Sequence, residues 1–115
     1  MLPRTMRLKR QTEEQLKKLK AYTGVTPNVS SRIAFFRSVE SGYRFSGDTV
    51  NLDGTLVLDK VTWLGELELA TETLLRMLYP KLAPKELEQA WAAHVEDGIS
   101  SLRNLKSIST FAAAV

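Results

Sequence analysis

The sequence predicts one mainly helical domain, spanning residues 1–115, with a short strand near its beginning. Its 115 residues and 43% hydrophobic fraction suit a single core. Four segments repeat apolar residues at the three- and four-residue spacing of amphipathic helices, whereas only short stretches alternate in the manner of strands. We therefore predict, in chain order, a strand, two helices, a small β-hairpin and two further long helices.

The strand and the first helix are predicted from local patterns. Met6 and Leu8 alternate with polar residues, which is typical of a half-buried strand. Thr12 and the three residues up to Gln15 fit a capping box, so a helix is predicted to open at Thr12. Gly24 is typical of the left-handed residue that ends a helix.

The second helix follows a tight turn. Thr26 is a suitable N-cap, and Pro27 suits the first helical position because proline has no N–H to satisfy. The dipeptide Ser41-Gly42 is predicted to end this helix. A basic part, residues 1–44, is thereby distinguished from the rest of the domain.

The remaining part, residues 45–115, is predicted to hold the hairpin and the two longer helices. An Asp-Gly turn pair between alternating apolar residues predicts a hairpin over 49–58. Helices are predicted over 60–79 and 84–106. The second of these keeps its apolar period across Gly98, although a glycine in a helix costs roughly 1 kcal/mol relative to alanine.

Charge is divided unevenly between the two parts. Residues 1–44 carry ten Lys and Arg against three acids, a net of +7, and residues 45–115 carry six against ten, a net of −4. The two add to the net charge of +3 for the chain. A basic part joined to an acidic part is typical of a protein that presents one surface to a polyanion and another to protein.

Several classes of function have no support in the composition. The chain has no cysteine and a single histidine, which argues against disulfides, thiol nucleophiles and a zinc site. His94 is predicted to be a partly buried helix residue. No apolar run approaches the length of a membrane span, and the first residues lack the apolar core of a signal peptide, so a cytoplasmic protein is expected.

Aspartates near the predicted hairpin are the candidates for metal-dependent chemistry. Asp48, Asp53 and Asp59 flank it, and a nuclease needs clustered carboxylates to hold its metal. The favoured interpretation is that they supply turn and cap oxygens. No catalytic residue, metal ligand or cofactor site is therefore assigned.

The basic segment from Arg4 to Lys20 has two explanations. Lys17 and Lys18 each follow a glutamate by four residues, the spacing of stabilising helix ion pairs. The other cations of this segment have no acid nearby in the sequence and would repel one another without an anionic partner. These are Arg4, Arg7, Lys9, Arg10 and Lys20.

A strand followed by two helices resembles the ribbon-helix-helix unit of DNA-binding proteins over about residues 3–42. In that unit, strands of two subunits pair, and outer side chains, here Thr5, Arg7 and Lys9, face the major groove. The start of the second helix, around Asn28, would offer backbone N–H groups to a phosphate.

A closer resemblance covers nearly the whole chain. The segments LPRTMRLKRQTEEQLKKLKAYTGVTPNVSSRIAFFRSVE, GDTVNLDG and ETLLRMLYP resemble the DndE family, the small subunit of the bacterial DNA phosphorothioation system. The stretches Thr23 to Asn28 and Arg32 to Ala34 are the most telling. The resemblance implies a homotetramer that binds double-stranded DNA, favours nicked duplex and works beside DndC and DndD. Sulfur replaces a non-bridging phosphate oxygen in that system, and this chain, without cysteine, cannot carry a persulfide.

The sequence therefore predicts a DNA-binding component that is not an enzyme. A nicking activity has been suggested for the family, but one histidine and no carboxylate cluster give it no support. Three alternatives stay open: a sequence-specific ribbon-helix-helix repressor, a metal-dependent nickase using the three aspartates, and an adaptor that contacts only protein. The candidate DNA-binding residues are Arg4, Arg7, Lys9, Arg10, Lys17, Lys18, Lys20, Asn28 and Arg32.

Overall fold

The structure, a computed structural model, describes residue 2 and residues 5–48, 51–54, 58–59 and 67–102. The elements in chain order are β1 Thr5–Met6, α1 Arg10–Thr23, α2 Pro27–Glu40, β2 Leu58–Asp59, α3 Glu68–Leu78 and α4 Pro84–Leu102. The predicted mainly helical fold is confirmed. No helix among the described residues has the length and apolar character needed to cross a membrane.

The strand β1 buries one side, as its alternating pattern predicts. Met6 and Leu8 are buried in the core, whereas Thr5 and Arg7 are exposed. β1 pairs antiparallel with β2, with Thr5 opposite Asp59. The partner strand therefore comes from the same chain, unlike the ribbon-helix-helix unit, in which a second subunit supplies it.

The predicted hairpin over 49–58 is described only in part, because 49–50 and 55–57 lie outside the described residues. The segment 51–54 forms no strand. The Gly54 N–H donates instead to the Leu8 carbonyl at 2.9 Å, and β2 pairs with β1. A Cβ at Gly54 would overlap the Leu8 carbonyl, so only glycine permits this approach.

The helix α1 begins at Arg10, and the predicted start at Thr12 is wrong. Thr12 is buried, and no side chain of the preceding residue caps the helix. The Arg10 N–H donates to Asp53 Oδ1 at 2.8 Å, so the capping oxygen comes from a residue far along the chain. The other end is as predicted: Gly24 is left-handed, with φ 77°, and its N–H donates to the Lys20 carbonyl.

The later helices agree with their predicted positions wherever they are described. Thr26 is the N-cap of α2 and Pro27 its first residue, and α2 ends just before Ser41-Gly42. α3 begins at Glu68; the predicted helix over 60–79 includes 60–66, which lie outside the described residues. Likewise, α4 follows the predicted helix to Leu102, and 103–106 lie outside.

The core is centred on α4, in which residues 90–95 are all buried, more than one full turn of the helix. Trp91, Val95 and Ile99 of this helix are buried together with Phe35 of α2. At Gly98 the two helices are so close that a Cβ would overlap the backbone carbonyl of Ala34. Gly98, which has a lower helix propensity than alanine, is therefore required by the close packing of the two helices.

A chain of buried polar groups crosses the same contact. His94 is fully buried, more than predicted, and its Nδ1 lies 2.9 Å from Ser38 Oγ. Ser38 Oγ lies 2.8 Å from Asp97 Oδ2, and His94 Nε2 lies 2.7 Å from the Tyr79 hydroxyl. The Tyr79 hydroxyl accepts the Phe45 N–H at 2.7 Å.

One arrangement of protons satisfies every group in this chain. The single Ser38 hydroxyl proton goes to the Asp97 carboxylate, so Ser38 Oγ accepts the Nδ1–H of His94. His94 Nε2 then accepts the proton of the Tyr79 hydroxyl. His94 is therefore neutral. Burial lowers its pKa from 6.5 to about 4, assisted by the positive charge of Arg44 and opposed by Asp97.

Replacing Gly98 by alanine should destabilise the fold although alanine favours helix by about 1 kcal/mol. The added methyl group must push α2 and α4 apart at Ala34. We expect the free energy of unfolding, measured by urea denaturation, to fall by about 2 kcal/mol. The control is Ser100→Ala on the exposed side of α4, which should change it by less than about 0.5 kcal/mol. A Gly98→Ala protein as stable as the wild type would contradict the close packing.

His94 should make the protein less stable as the solution becomes mildly acidic. Its pKa is 6.5 when unfolded and about 4 when folded. Its contribution is therefore fully present above pH 6.5 and is lost as the pH falls towards 4, because the unfolded chain takes up the proton first. Between pH 7 and pH 5 the free energy of unfolding should fall by about 2 kcal/mol from this group.

The measurement is urea denaturation at several pH values in that range, with His94→Gln as the comparison. The variant is expected to be less stable at pH 7 but to have lost this part of the pH dependence. If the free energies of unfolding of the wild type and the variant fell equally as the pH was lowered, His94 would not be the group responsible.

Candidate nucleic-acid interface

Two acids of α4 lie beside the strand segment. Glu88 Oε2 accepts the backbone N–H of Arg7 at 2.8 Å, and Glu96 Oε1 lies 3.5 Å from Lys9 Nζ. Burial raises the pKa of Glu88, while the N–H and the charge of Arg7 oppose that rise. The prediction that Lys9 has no acidic partner is wrong, because α4 lies beside this segment.

Arg10 begins α1 and is exposed. Its N–H bond to the Asp53 carboxylate is the main cause of a lowered pKa at Asp53, and the charges of Arg10 and Lys9 add to the effect. This geometry gives Asp53 the role of a helix cap, as the interpretation from sequence favours. Arg4, another candidate, lies outside the described residues.

The outward side of α1 carries exposed cations. Lys17 is 64% exposed and pairs with Glu13 at 3.5 Å, so this predicted pair is confirmed. Glu14 and Lys18 have the same spacing but form no such pair in the described part of the chain, and Lys18 is exposed. Helical spacing places Arg10, Lys17 and Lys18 on one side of α1. We call these three residues the α1 basic face.

The start of α2 offers backbone N–H groups without a side-chain cap. Thr26 makes no capping hydrogen bond, and Pro27 has no N–H. The first helical bond runs from Ser30 to the Thr26 carbonyl, so the N–H groups of Asn28 and Val29 have no acceptor within the helix. The positive end of the helix dipole adds to the attraction for an anion at this point.

The end of α1 and the start of α2 meet at one corner of the molecule, because only residues 24–26 separate them. Lys20 is exposed in the last turn of α1. Asn28 and Arg32 on α2 are both half-buried. The predicted site residues that the structure describes therefore fall into two groups. Arg7 and Lys9 lie in the strand segment beside acids of α4. The others lie on α1 and at the start of α2.

The described residues do not form a recognisable catalytic site. Asp48 is exposed and accepts a hydrogen bond from the Ser46 hydroxyl at 3.0 Å, which is a turn interaction. Within the described ranges, no group of three or more His, Asp and Glu residues is placed to hold a metal ion. Asp59 lies in β2, opposite Thr5.

The buried set Ser38, His94 and Asp97 has the composition of a hydrolase triad but not its order. In such a triad the aspartate holds the histidine, which in turn takes the serine proton. Here the aspartate accepts the serine proton and the histidine donates to the serine. Ser38 is also buried, and its hydroxyl proton is already held by the Asp97 carboxylate.

The sequence patterns missed the acids that shape this surface. Glu88 and Glu96 are eight residues apart on α4 and so lie on one side of the helix, which the spacing alone could have shown. Their partners could not be inferred, because Arg7 and Lys9 lie 81 and 87 residues away in the chain.

Comparisons with known proteins agree on one family. The family model described as DNA sulphur modification protein DndE matches residues 5–110. The crystal structure of DndE from Escherichia coli B7A, involved in DNA phosphorothioation modification, is 66% identical, with a TM-score of 0.86. That match covers 89% of this chain and 98% of the other.

A mutant DndE involved in DNA phosphorothioation is 64% identical, covers 89% of this chain and 99% of its own, and has a TM-score of 0.84. No curated protein matches. The family match spans most of the chain, and the solved structures share both its sequence and its fold. The chain therefore belongs to the DndE family of DNA sulphur modification proteins.

Proposed function

We propose that this protein is a DNA-binding component, without catalytic activity of its own, of the machinery that places sulfur in the DNA backbone. The observation that carries the proposal is the α1 basic face in a member of a DNA sulphur modification family. Arg10, Lys17 and Lys18 project from a rigid helix into solvent. A row of cations on one helix suits the regularly spaced phosphates of a duplex.

The α1 basic face carries more of the proposed binding than the strand. Lys9 pairs with the carboxylate of Glu96, which competes with a phosphate for this lysine, whereas Glu88 accepts the backbone N–H of Arg7. Lys18 has no such competitor nearby among the described residues, and Lys17 has only the local Glu13. The sequence favoured the strand end and Lys20, and the acid beside Lys9 weakens the case for the strand.

Contacts of this type support binding that depends weakly on sequence. Lysine ammonium groups and the uncapped N–H groups of α2 suit phosphate oxygens, which carry no base information. Binding then depends steeply on salt, with a slope near −0.9 in log K against log salt for each neutralised phosphate. Lys9 would have to leave Glu96 to read a base, which weakens the repressor alternative.

The family resemblance extends this proposal to an assembly. We propose a cytoplasmic homotetramer that repeats the basic face, prefers nicked to intact duplex and works with DndC and DndD. The excess of acid in residues 45–115 supports a division of surfaces, with DNA on one side and protein partners on the other. Mass in solution, measured beside binding to both kinds of duplex, tests the assembly.

Replacing Lys17 and Lys18 together by glutamate should weaken DNA binding at least tenfold at moderate salt. The salt slope should fall by about 2, since two phosphate contacts are lost. The measurement is fluorescence anisotropy with a labelled duplex over a range of salt concentrations. The matched control replaces Arg76 and Lys81, exposed cations outside the basic part, by glutamate and makes the same change in net charge.

The control should lose much less affinity than the Lys17 and Lys18 variant. Equal losses would mean that only net charge matters, and normal binding by the Lys17 and Lys18 variant would exclude the α1 basic face. Strong discrimination between unrelated sequences would favour a repressor. Wild-type affinity without any salt dependence would favour an adaptor that contacts only protein.

The purified protein should not relax supercoiled plasmid, with or without magnesium. Asp48 and Asp53 are engaged in turn and cap interactions, which leaves them poorly arranged to share a metal ion. Agarose gels of plasmid incubated with wild type and with Asp48→Ala protein provide the measurement. Magnesium-dependent relaxation that disappears in Asp48→Ala would establish a nickase instead.

A further inference from the structure

One exposed aromatic ring stands apart from all others that the structure describes. Tyr22, in the last turn of α1, is 57% exposed. Tyr43 and Tyr79 instead pack their rings against the buried His94. Among the described residues, Tyr22 makes no hydrogen bond and contacts no other ring. Packing within the chain therefore gives no reason for this tyrosine.

The surroundings of Tyr22 are basic and open. Tyr22 follows Lys18 by four residues, so the two side chains are neighbours on the helix, with Cβ atoms roughly 6 Å apart. Ala21, which precedes Tyr22, is small and exposed. An aromatic ring beside an exposed lysine matches the kind of surface that binds bases and phosphates together.

The corner that follows continues this surface. Beyond Gly24, the start of α2 carries Val29, which is 43% exposed, and the uncapped N–H groups of Asn28 and Val29. A lysine and backbone N–H groups that suit phosphate thus lie near an exposed ring that can stack. The charge of these neighbours complements a polyanion and not an apolar protein surface.

We infer that Tyr22 stacks on a DNA base whose face is uncovered, and so makes binding prefer interrupted duplex. The inference rests on the proposed DNA binding and deepens it. In an intact duplex each base face is covered by its neighbours, and only an end, a nick or a gap exposes one. Lys18 holds the adjoining phosphate, and the Tyr22 ring replaces the lost stacking partner.

The test compares wild type, Tyr22→Ala and Tyr22→Phe on an intact duplex and on the same duplex with a single nick. Tyr22→Ala should bind the nicked duplex about tenfold more weakly, within the range for one base–aromatic stack, and the intact duplex within twofold of wild type. Tyr22→Phe should bind both as wild type does, because the ring and not the hydroxyl makes the contact. Met77→Ala, which removes another exposed side chain, is the matched control and should change neither.

A second measurement reports the stack directly. With 2-aminopurine placed beside the nick, wild type and Tyr22→Phe should change its fluorescence through stacking, and Tyr22→Ala should not. If Tyr22→Ala lost the same affinity for both duplexes, or lost affinity for neither, the inference would be overturned and the proposed DNA binding would stand. Wild type that binds intact and nicked duplex equally would also overturn it. Wild type that binds neither would instead overturn the proposed function, and this inference with it.

Discussion

The close approach of α4 to α2 at Gly98 sets the positions of most other groups in this protein. Because no side chain separates the helices there, the Ala34 carbonyl lies against the glycine. His94 and Asp97 lie just before Gly98 on α4, so the same contact brings both to Ser38 on α2. The buried polar chain is thus a consequence of backbone packing. Each polar hydrogen in this chain of groups has an acceptor, as the burial of polar groups requires.

The same helix also determines which cations remain available. Glu88 and Glu96 of α4 lie against the strand segment, where Glu88 accepts the backbone N–H of Arg7 and Glu96 pairs with Lys9. The acidic and basic parts of the chain therefore meet at the strand segment. Cations on the outward side of α1 lie beyond these acids. A phosphate that approaches Lys18 displaces no carboxylate of the described residues, and one that approaches Lys17 competes only with the surface pair to Glu13, which contributes little.

The α1–α2 corner shows how a rigid fold can carry two kinds of contact. Gly24 and Pro27 make the turn short, which places the end of one helix beside the start of the next. Lysines and backbone amides there suit phosphates, and the exposed ring of Tyr22 suits a base face. Since each contact type needs a different part of the DNA, their combination can distinguish an interrupted duplex from an intact one in a way that charge alone cannot.

The sequence by itself determined the family, the helical fold, the alternation of β1 and the boundaries marked by Gly24, Thr26 and Pro27. These features depend on contacts within about four residues or on a whole-chain pattern. Only the tertiary structure decided the cap of α1, the acid beside Lys9 and the need for glycine at Gly98. The first two join residues 43 and 87 positions apart. Their energies come from groups that meet only after folding, which neither propensity nor local spacing records.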